Sequence, residues 1–283
     1  MHGRNWSIEG SNLKVVLLFL SALGILSPIL LDGCADSSRT LPWYSECALP
    51  AEGVDGWVEI CVSPPVDEEG YTTDGVSNFT IGTRRLRKWD KDYRFILENN
   101  DPFDGITGMN HMGDGAYFSG KLYVPIETWN QCPNVENQSF AVFDANTLKR
   151  LEVHNVVAFQ NEVSGMAIAP NEGPHGLIYS TSFCDNEHIY MYDLPTFAPV
   201  GSIELSPRLS SMQGVAYRSG KLYISAGVAK AVFQVSLTGK VLGKLYSDLD
   251  ALEVEGLDFS QDEIRWLVIT NGVPNVHYIR YFQ

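Results

Sequence analysis

The chain has 283 residues, 45% of them hydrophobic and 19% charged, and a net charge of −14. This composition supplies one domain with a sizeable core, and an acidic surface repels phosphate groups, which argues against nucleic acid as a partner. The same acidic surface repels anionic lipid, so we expect membrane contact only through the N-terminal segment. The expected partner is then a small molecule, a glycan or a protein.

The N-terminal segment, residues 1–35, is predicted to be a signal peptide or a membrane anchor. Residues 15–31 are almost entirely apolar and follow Arg4 and Lys14, which is typical of export signals. A cleaved signal, an uncleaved anchor and a lipoprotein modified at Cys34 all remain open, although Asp32 departs from the lipoprotein pattern. Each alternative places the rest of the chain outside the cytoplasm.

The five cysteines agree with an oxidising compartment. Removal or lipidation of Cys34 leaves four, which suggests two disulfides. Cys132 and Cys184 each follow the second apolar run of adjacent repeats, so we predict that they pair. Cys47 and Cys61 are then paired by default. No two cysteines have the C-x-x-C spacing, which argues against zinc.

Residues 36–75 are proline-rich and irregular, and they are expected to contribute one closing strand. From Arg84 onward, short apolar runs alternate with polar turns and indicate hairpins. The outer hairpins share this pattern and lie near residues 84–97, 140–153, 189–205 and 232–246.

A repeat with a period of about 40 to 50 residues organises the rest of the chain. Ser119-Gly-Lys-Leu-Tyr123 recurs letter for letter as Ser219-Gly-Lys-Leu-Tyr223. Innermost strands are predicted to begin near Asp114, Gly165, Gly214 and Gly256. The pattern predicts an all-β fold, a β-propeller of four-stranded antiparallel blades over residues 76–283. Five blades are expected, with six as the alternative, and a strand from residues 37–60 closes the ring.

Two segments carry a family resemblance. Gly214-Val-Ala-Tyr217 with the following Leu222-Tyr-Ile-Ser225, and Val254-Glu-Gly-Leu-Asp-Phe259, resemble inner-blade motifs of the superfamily that includes NHL-repeat, SMP-30/gluconolactonase, strictosidine-synthase-like and SdiA-regulated propellers. The resemblance covers roughly residues 80–283. It implies ligand binding at a central channel and, in some members, a divalent metal held by carboxylate and amide side chains.

The repeats also align residues at the mouth of the channel. One predicted ring contains Gly113, Ser164, Gln213 and Glu255, and the positions two residues upstream are His111, Glu162, Ser211 and Glu253. Carboxylate and amide oxygens suit Ca²⁺ or another divalent cation, so the predicted metal ligands are Asp114, Glu162, Gln213 and Glu255. The predicted ligand-binding residues are Asp104, Trp129 and Gln213. His111 and Glu162 are the candidates for acid–base catalysis.

Each of these residues also has a structural interpretation. Glu255 could hydrogen-bond neighbouring strand ends, Asp114 could form a turn, and His111 could be a packed core residue. No nucleophile elbow, phosphate-binding loop or zinc-protease motif occurs. The first hypothesis is therefore an exported propeller that binds a ligand or partner at its channel and loop face, without a recognisable catalytic set. The alternative is a metal-dependent hydrolase of lactonase or esterase type, and a glycan-directed enzyme using Asp104, Glu162 and Glu255 comes third.

Overall fold

The structure, a computed structural model, describes residues 55–133 and 135–283. The predicted signal peptide or anchor and Cys47 lie outside the described residues. Within the described ranges, no helix has the length and apolar character needed to cross a membrane.

The fold is all-β and contains no helix among the described residues. Strand β1 spans Gly56–Val62 and lies apart from the strands that directly follow it. The remaining strands form consecutive groups along the chain: β2–β5 are Gly70–Thr73, Ser77–Gly82, Arg85–Asp90 and Phe95–Asn99; β6–β10 are His111–Met112, Ala116–Phe118, Lys121–Thr128, Glu136–Asp144 and Arg150–Asn155; β11–β14 are Gly165–Ala169, Leu177–Thr181, His188–Asp193 and Pro199–Glu204; β15–β18 are Met212–Arg218, Lys221–Ala226, Ala231–Ser236 and Val241–Ser247; and β19–β21 are Glu253–Ser260, Glu263–Thr270 and Val273–Phe282.

Five antiparallel sheets form the five blades of a propeller, which confirms the predicted fold and blade number. Blades 1 to 4 use β2–β5, β6–β10, β11–β14 and β15–β18, and blade 5 has the order β1-β21-β20-β19. Strand β1 pairs with β21 through Gly56↔Phe282 to Val62↔His277. The N-terminal strand therefore closes the ring and covers the edge of the last blade, as expected.

The propeller starts earlier than residue 76, the predicted domain boundary. Gly70–Thr73 is the innermost strand of blade 1, and Gly56–Val62 belongs to blade 5. Blade 1 lacks the Ser-Gly-Lys-Leu-Tyr turn that marks blades 2 and 4, and its first strand lies in the proline-rich stretch, so the repeat pattern did not reveal it.

The repeated pentapeptide forms the same turn in blades 2 and 4. Ser119 and Ser219 both have a φ of 50°, and Gly120 and Gly220 have φ values of 80° and 72°. Two consecutive residues with positive φ are required by the hairpin turn that suits the twist of antiparallel strands. The repeat is thus explained by backbone geometry.

The apolar core is divided between the blades. Five clusters of buried side chains fill the five interfaces, one between each pair of neighbouring blades. Trp266 and Tyr223 pack between blades 4 and 5, and Tyr71 and Tyr278 pack between blades 5 and 1. Because a single small sheet cannot bury both of its faces, each blade depends on its neighbours.

Glycines allow the innermost strands to meet at the axis. A Cβ atom at Gly113 would lie 2.1 Å from the Ser164 carbonyl oxygen, and one at Gly256 would lie 2.1 Å from Oδ1 of Asp114. A side chain at either position would therefore collide with another blade. This close approach brings the starts of the innermost strands together at one end of the channel.

Candidate functional site

A cavity of about 320 Å³ opens at the channel mouth. Its wall takes residues from all five blades, at or just before the start of each innermost strand. The wall contains five carboxyl side chains and one imidazole but no lysine or arginine. The lining residues are Glu68, Glu69, Thr83, His111, Gly113, Trp129, Glu162, Ser164, Phe183, Gln213, Glu253, Glu255 and Ile269.

The structure brings most of the predicted channel residues together. His111, Glu162, Gln213, Glu255 and Trp129 line this cavity. The alignment of the repeats therefore identified residues that lie at the mouth of the channel.

Sequence reasoning missed the contribution of blade 1. Glu69 precedes Gly70 as Glu255 precedes Gly256, and it completes the ring at the channel mouth. This glutamate–glycine pair was the available signal, but it lay in a stretch interpreted as irregular. Glu68 was missed for the same reason, and Thr83 was missed because it lies in the turn after β3, away from the strand starts that the repeats aligned.

His111 lies between two glutamates. Its Nε2 is 3.3 Å from Oε2 of Glu69, and its Nδ1 is 3.4 Å from Oε1 of Glu127. Burial lowers the pKa of His111, but these two carboxyl groups outweigh burial and raise it to about 10. The imidazole is therefore cationic at neutral pH.

The contact between His111 and Glu127 is a charge contact rather than a well-formed hydrogen bond. Nδ1 of His111 and Oε1 of Glu127 are buried and have no hydrogen-bond partner within the described ranges. The other oxygen of Glu127 accepts a hydrogen bond of 3.1 Å from the Val163 amide. Glu127, on β8, is thus fixed beneath the cavity wall, with one oxygen left facing the imidazole.

Glu162 is a buried carboxyl group in the cavity wall, and its side chain is almost fully enclosed. Its Oε2 accepts hydrogen bonds from the amides of Phe183 and Cys184. Burial is the main cause that raises the pKa of Glu162, and the charge of Glu127 adds to it, bringing the value to about 8. The hydrogen bonds from Ser182, Phe183 and Cys184 act in the opposite direction without outweighing these two effects, so the protonated form of Glu162 is favoured.

Glu255 and Gln213 contact each other across blades 4 and 5. Nε2 of Gln213 donates to Oε1 of Glu255 over 3.2 Å. Burial, followed by the charges of Glu69 and Glu253, raises the pKa of Glu255 well above its usual value. The wall thus combines hydrogen-bond donors and acceptors close to one another.

Asp114 is placed below the cavity rather than in its wall. Its Oδ1 accepts from the Tyr71 amide at 3.1 Å and its Oδ2 from the Leu257 amide at 3.3 Å. These donors come from blades 1 and 5, so the carboxyl group connects three blades at the axis. A cation at this position would have to displace those amides. The structure therefore gives Asp114 a structural role in place of the predicted metal-binding one.

Asp104 lies away from the channel mouth. It sits in the exposed connection between β5 and β6, and its carbonyl oxygen accepts a hydrogen bond from Arg150. It lines a separate surface cavity together with Lys149 and Arg150. The prediction that Asp104 joins the channel ligand site is therefore not supported by its position, because this connection runs along the outer part of blades 1 and 2.

Trp129 and Phe183 form the aromatic side of the cavity. Their rings pack edge to face with centroids 5.9 Å apart. The Cys132–Cys184 disulfide joins the loops that carry them, with a Cα–Cα distance of 5.7 Å, which confirms this predicted pair. Cys61 is also disulfide-bonded, and its predicted partner Cys47 lies outside the described residues.

The predicted metal set is not gathered around one point. Glu162, Gln213 and Glu255 line the cavity, whereas Asp114 is engaged below it. Within the described part of the chain, no group of three or more His, Cys, Asp or Glu side chains is arranged to hold a metal ion. Calcium binding stays a prediction.

No family model and no curated protein matches the sequence. Among solved structures, glutaminyl cyclase from Myxococcus xanthus has a TM-score of 0.59 and 12% identity, over 80% of this chain and 96% of that one. A luciferin-regenerating enzyme has a TM-score of 0.52 and 13% identity, over 80% and 95%. A gluconolactonase from Xanthomonas campestris has a TM-score of 0.48 and 12% identity, over 72% and 68%. At these identities, the first two similarities show a shared propeller fold.

Proposed function

We propose that this protein is an exported β-propeller whose channel mouth binds a small ligand with a cationic amine next to an apolar or aromatic group. The observation that supports this most directly is the charge of the cavity wall, which carries five carboxyl groups against one imidazole. A concave site in which negative charge predominates concentrates counter-ions of the opposite sign. The net charge of −14 acts in the same direction.

The position of Trp129 and Phe183 supports the second half of the proposal. Their edge-to-face pair lines the same cavity as the glutamates. Aromatic faces attract both apolar groups and cations. A ligand that places an ammonium among the carboxyl groups can therefore lay a hydrophobic group against this wall.

Export rests on two independent features. Residues 15–31 are apolar, and the Cys132–Cys184 disulfide requires oxidising conditions to form and persist. N-terminal sequencing of the protein recovered from its host would test this part. A start near residue 36 supports a cleaved signal, whereas an unprocessed protein in the cytoplasm contradicts export.

Calorimetric titration tests the ligand class with two matched compounds. 2-Phenylethylamine carries an ammonium at neutral pH, and 2-phenylethanol has almost the same shape without the charge. We expect the amine to bind with a dissociation constant below about 1 mM, a modest value for so small a ligand. The alcohol should bind at least about tenfold more weakly, because it leaves the carboxyl groups unpaired.

The Glu69→Gln variant locates the binding in the cavity. Glu69 lines the wall next to His111, and its loss should weaken amine binding about tenfold, in line with the cost of removing one partner of a partly buried charge pair. Glu204→Gln is the matched control, because Glu204 is an exposed residue of the outer strand β14. Equal affinity for the amine and the alcohol, or equal effects of the two substitutions, would exclude the proposal.

A further inference from the structure

Glu162 combines burial, a ligand-facing position and an acidic neighbour. Its side chain is 1% exposed, yet it forms part of the cavity wall. The amides of Phe183 and Cys184 donate to its Oε2, and the Ser182 hydroxyl also donates to this carboxyl group. The group is held in place by its surroundings, so a change in its charge does not require the chain to move.

The ionisable groups around Glu162 come from three strands and from the residue that precedes β2. Glu127 faces it from β8, and Tyr190 faces it from β13. His111, on β6, lies beyond Glu127 at 3.4 Å, and Glu69 lies on the other side of His111 at 3.3 Å. No lysine or arginine lines this cavity. The cationic His111 is shared between Glu127 and Glu69, so a further negative charge on Glu162 is unfavourable while no second cation is bound.

A bound cation would reverse this balance. An ammonium in the cavity attracts a carboxylate and thus favours the ionised form of Glu162. In a buried site this attraction is poorly screened, so it competes directly with the repulsion from Glu127. A positive charge on the ligand and a proton on Glu162 therefore disfavour each other, because both lie in the same cavity.

We propose that Glu162 is the proton-exchanging group of the cavity: a cationic ligand that binds beside it displaces its proton into solvent. The O–H bond of the protonated Glu162 carboxyl group breaks, its electron pair stays on the oxygen, and the proton passes to water or buffer at the channel mouth. The ligand ammonium then pairs with the carboxylate. One positive charge enters as one leaves, so the net charge of the buried site is unchanged. This inference rests on the proposed amine-binding function.

The exchange makes ligand affinity depend on pH. Because a proton competes with the amine, binding should strengthen as the pH rises from 6 to 8 and weaken on acidification. Because burial and the charge of Glu127 raise the pKa of Glu162, Glu162 should release a substantial fraction of one proton per bound ligand at pH 7, and the affinity should rise with pH until the free protein has lost this proton. A carrier with this property takes up its ligand near neutrality and gives it up in an acidic compartment.

The test uses the full mature chain and 2-phenylethylamine as the probe. Titrations at pH 7 in phosphate, PIPES and MOPS buffers give the number of protons released, from the dependence of the observed enthalpy on the ionisation enthalpy of the buffer. We expect about 0.5 to 0.9 proton released by the wild-type protein. Binding without proton release would overturn this inference and leave the amine-binding function standing. Absence of binding would overturn both.

Two variants assign the proton to a residue. Glu162→Gln should bind the amine with no proton release and with an affinity that is the same at pH 6 and pH 8. Glu204→Gln is the control, because Glu204 is an exposed residue of β14 outside the cavity wall, and it should retain the release. Release that persists in Glu162→Gln, or that is lost equally in Glu204→Gln, would overturn the assignment.

A spectroscopic measurement on the wild-type protein covers the case in which Glu162→Gln does not fold. The infrared difference spectrum on addition of 2-phenylethylamine at pH 7 should show loss of a protonated-carboxyl C=O band and gain of carboxylate bands. An unchanged carboxyl region in a sample that binds the amine would contradict the exchange.

Discussion

Asp114 and Leu257 are 143 residues apart in the chain, yet Oδ2 of Asp114 accepts a hydrogen bond of 3.3 Å from the Leu257 amide. The other carboxyl oxygen accepts from Tyr71 in blade 1. A single side chain of blade 2 thus connects the first and last blades at the axis. The cavity above it depends on this connection, because Glu69 directly precedes β2, and Glu253 and Glu255 lie on β19, the two strands that the Asp114 side chain joins.

Replacement of Asp114 should destabilise the propeller. In Asp114→Asn, an amide NH₂ would face backbone donors that the carboxylate now satisfies, and a buried unpaired donor is costly. We expect a loss of about 2 to 4 kcal/mol in the free energy of unfolding, measured by chemical denaturation. Asp104→Asn, at an exposed position, is the control and should change stability by less than about 0.5 kcal/mol. Similar stabilities of the two variants would contradict the connecting role.

A methyl group at Gly256 should be tolerated less well than one at Gly243. The new Cβ at Gly256 would lie 2.1 Å from Oδ1 of Asp114 and 2.8 Å from the Gly70 Cα, whereas Gly243 has no heavy atom within 4 Å. We expect Gly256→Ala to cost about 3 kcal/mol or more, or to prevent folding, because the axis cannot expand locally. Thermal melting of both variants checks this, and a normal melting temperature for Gly256→Ala would be incompatible with the packing described.

Removal of the Cys132–Cys184 disulfide should affect both stability and the aromatic wall. The bond closes a loop with a sequence separation of 52 residues, and the double variant Cys132→Ser, Cys184→Ser should lose about 2 to 4 kcal/mol. Since the bond also joins the loops that carry Trp129 and Phe183, 2-phenylethylamine should bind several-fold more weakly. Calorimetry measures the binding, and chemical denaturation measures the stability. An unchanged affinity would show that the disulfide does not support the binding site.

His111 should make the stability of the protein fall at alkaline pH. Its pKa is raised from 6.5 to about 10 by Glu127 and Glu69 against the opposing effect of burial. The folded state therefore binds the proton more tightly than the unfolded state, and this contribution is complete below pH 6.5 and lost as the pH rises through about 10. We expect a contribution on the order of 2 kcal/mol, reduced from the full shift because the group remains partly hydrated.

The His111→Gln variant isolates this effect. The difference in unfolding free energy between wild type and variant should shrink between pH 7 and pH 10, as measured by denaturation at several pH values. The control is His175→Gln, at an exposed histidine. The difference in unfolding free energy between the wild type and this variant should stay constant with pH. A constant difference for His111→Gln would show that His111 carries no proton-linked stability.

Calcium provides a direct test of the predicted metal site. Because the oxygens of Asp114 are engaged by backbone amides, a Ca²⁺ ion at the channel mouth would have to be held by Glu162, Gln213 and Glu255 without Asp114. Calorimetric titration of chelator-treated protein that shows one ion per chain, lost in Glu162→Gln, would support the metal-dependent hydrolase. No stoichiometric binding and no rise in melting temperature would contradict it.

The sequence by itself determined the repeating unit of this protein. The pentapeptides at Ser119 and Ser219 require a turn with two positive φ values, and the glycines that begin the innermost strands are needed wherever strands meet at the axis. The first constraint is local in the chain, and the second recurs along the chain with the repeat, so the five-bladed fold and several of the channel residues could be predicted. Tertiary structure alone decided the role of Asp114, the separation of Asp104 from the site, and the assembly of Glu69, His111, Glu127 and Glu162 into one group. These depend on contacts between blades, and a carboxyl group becomes a connector, a proton holder or a surface group according to the burial and the neighbouring charges that only folding creates.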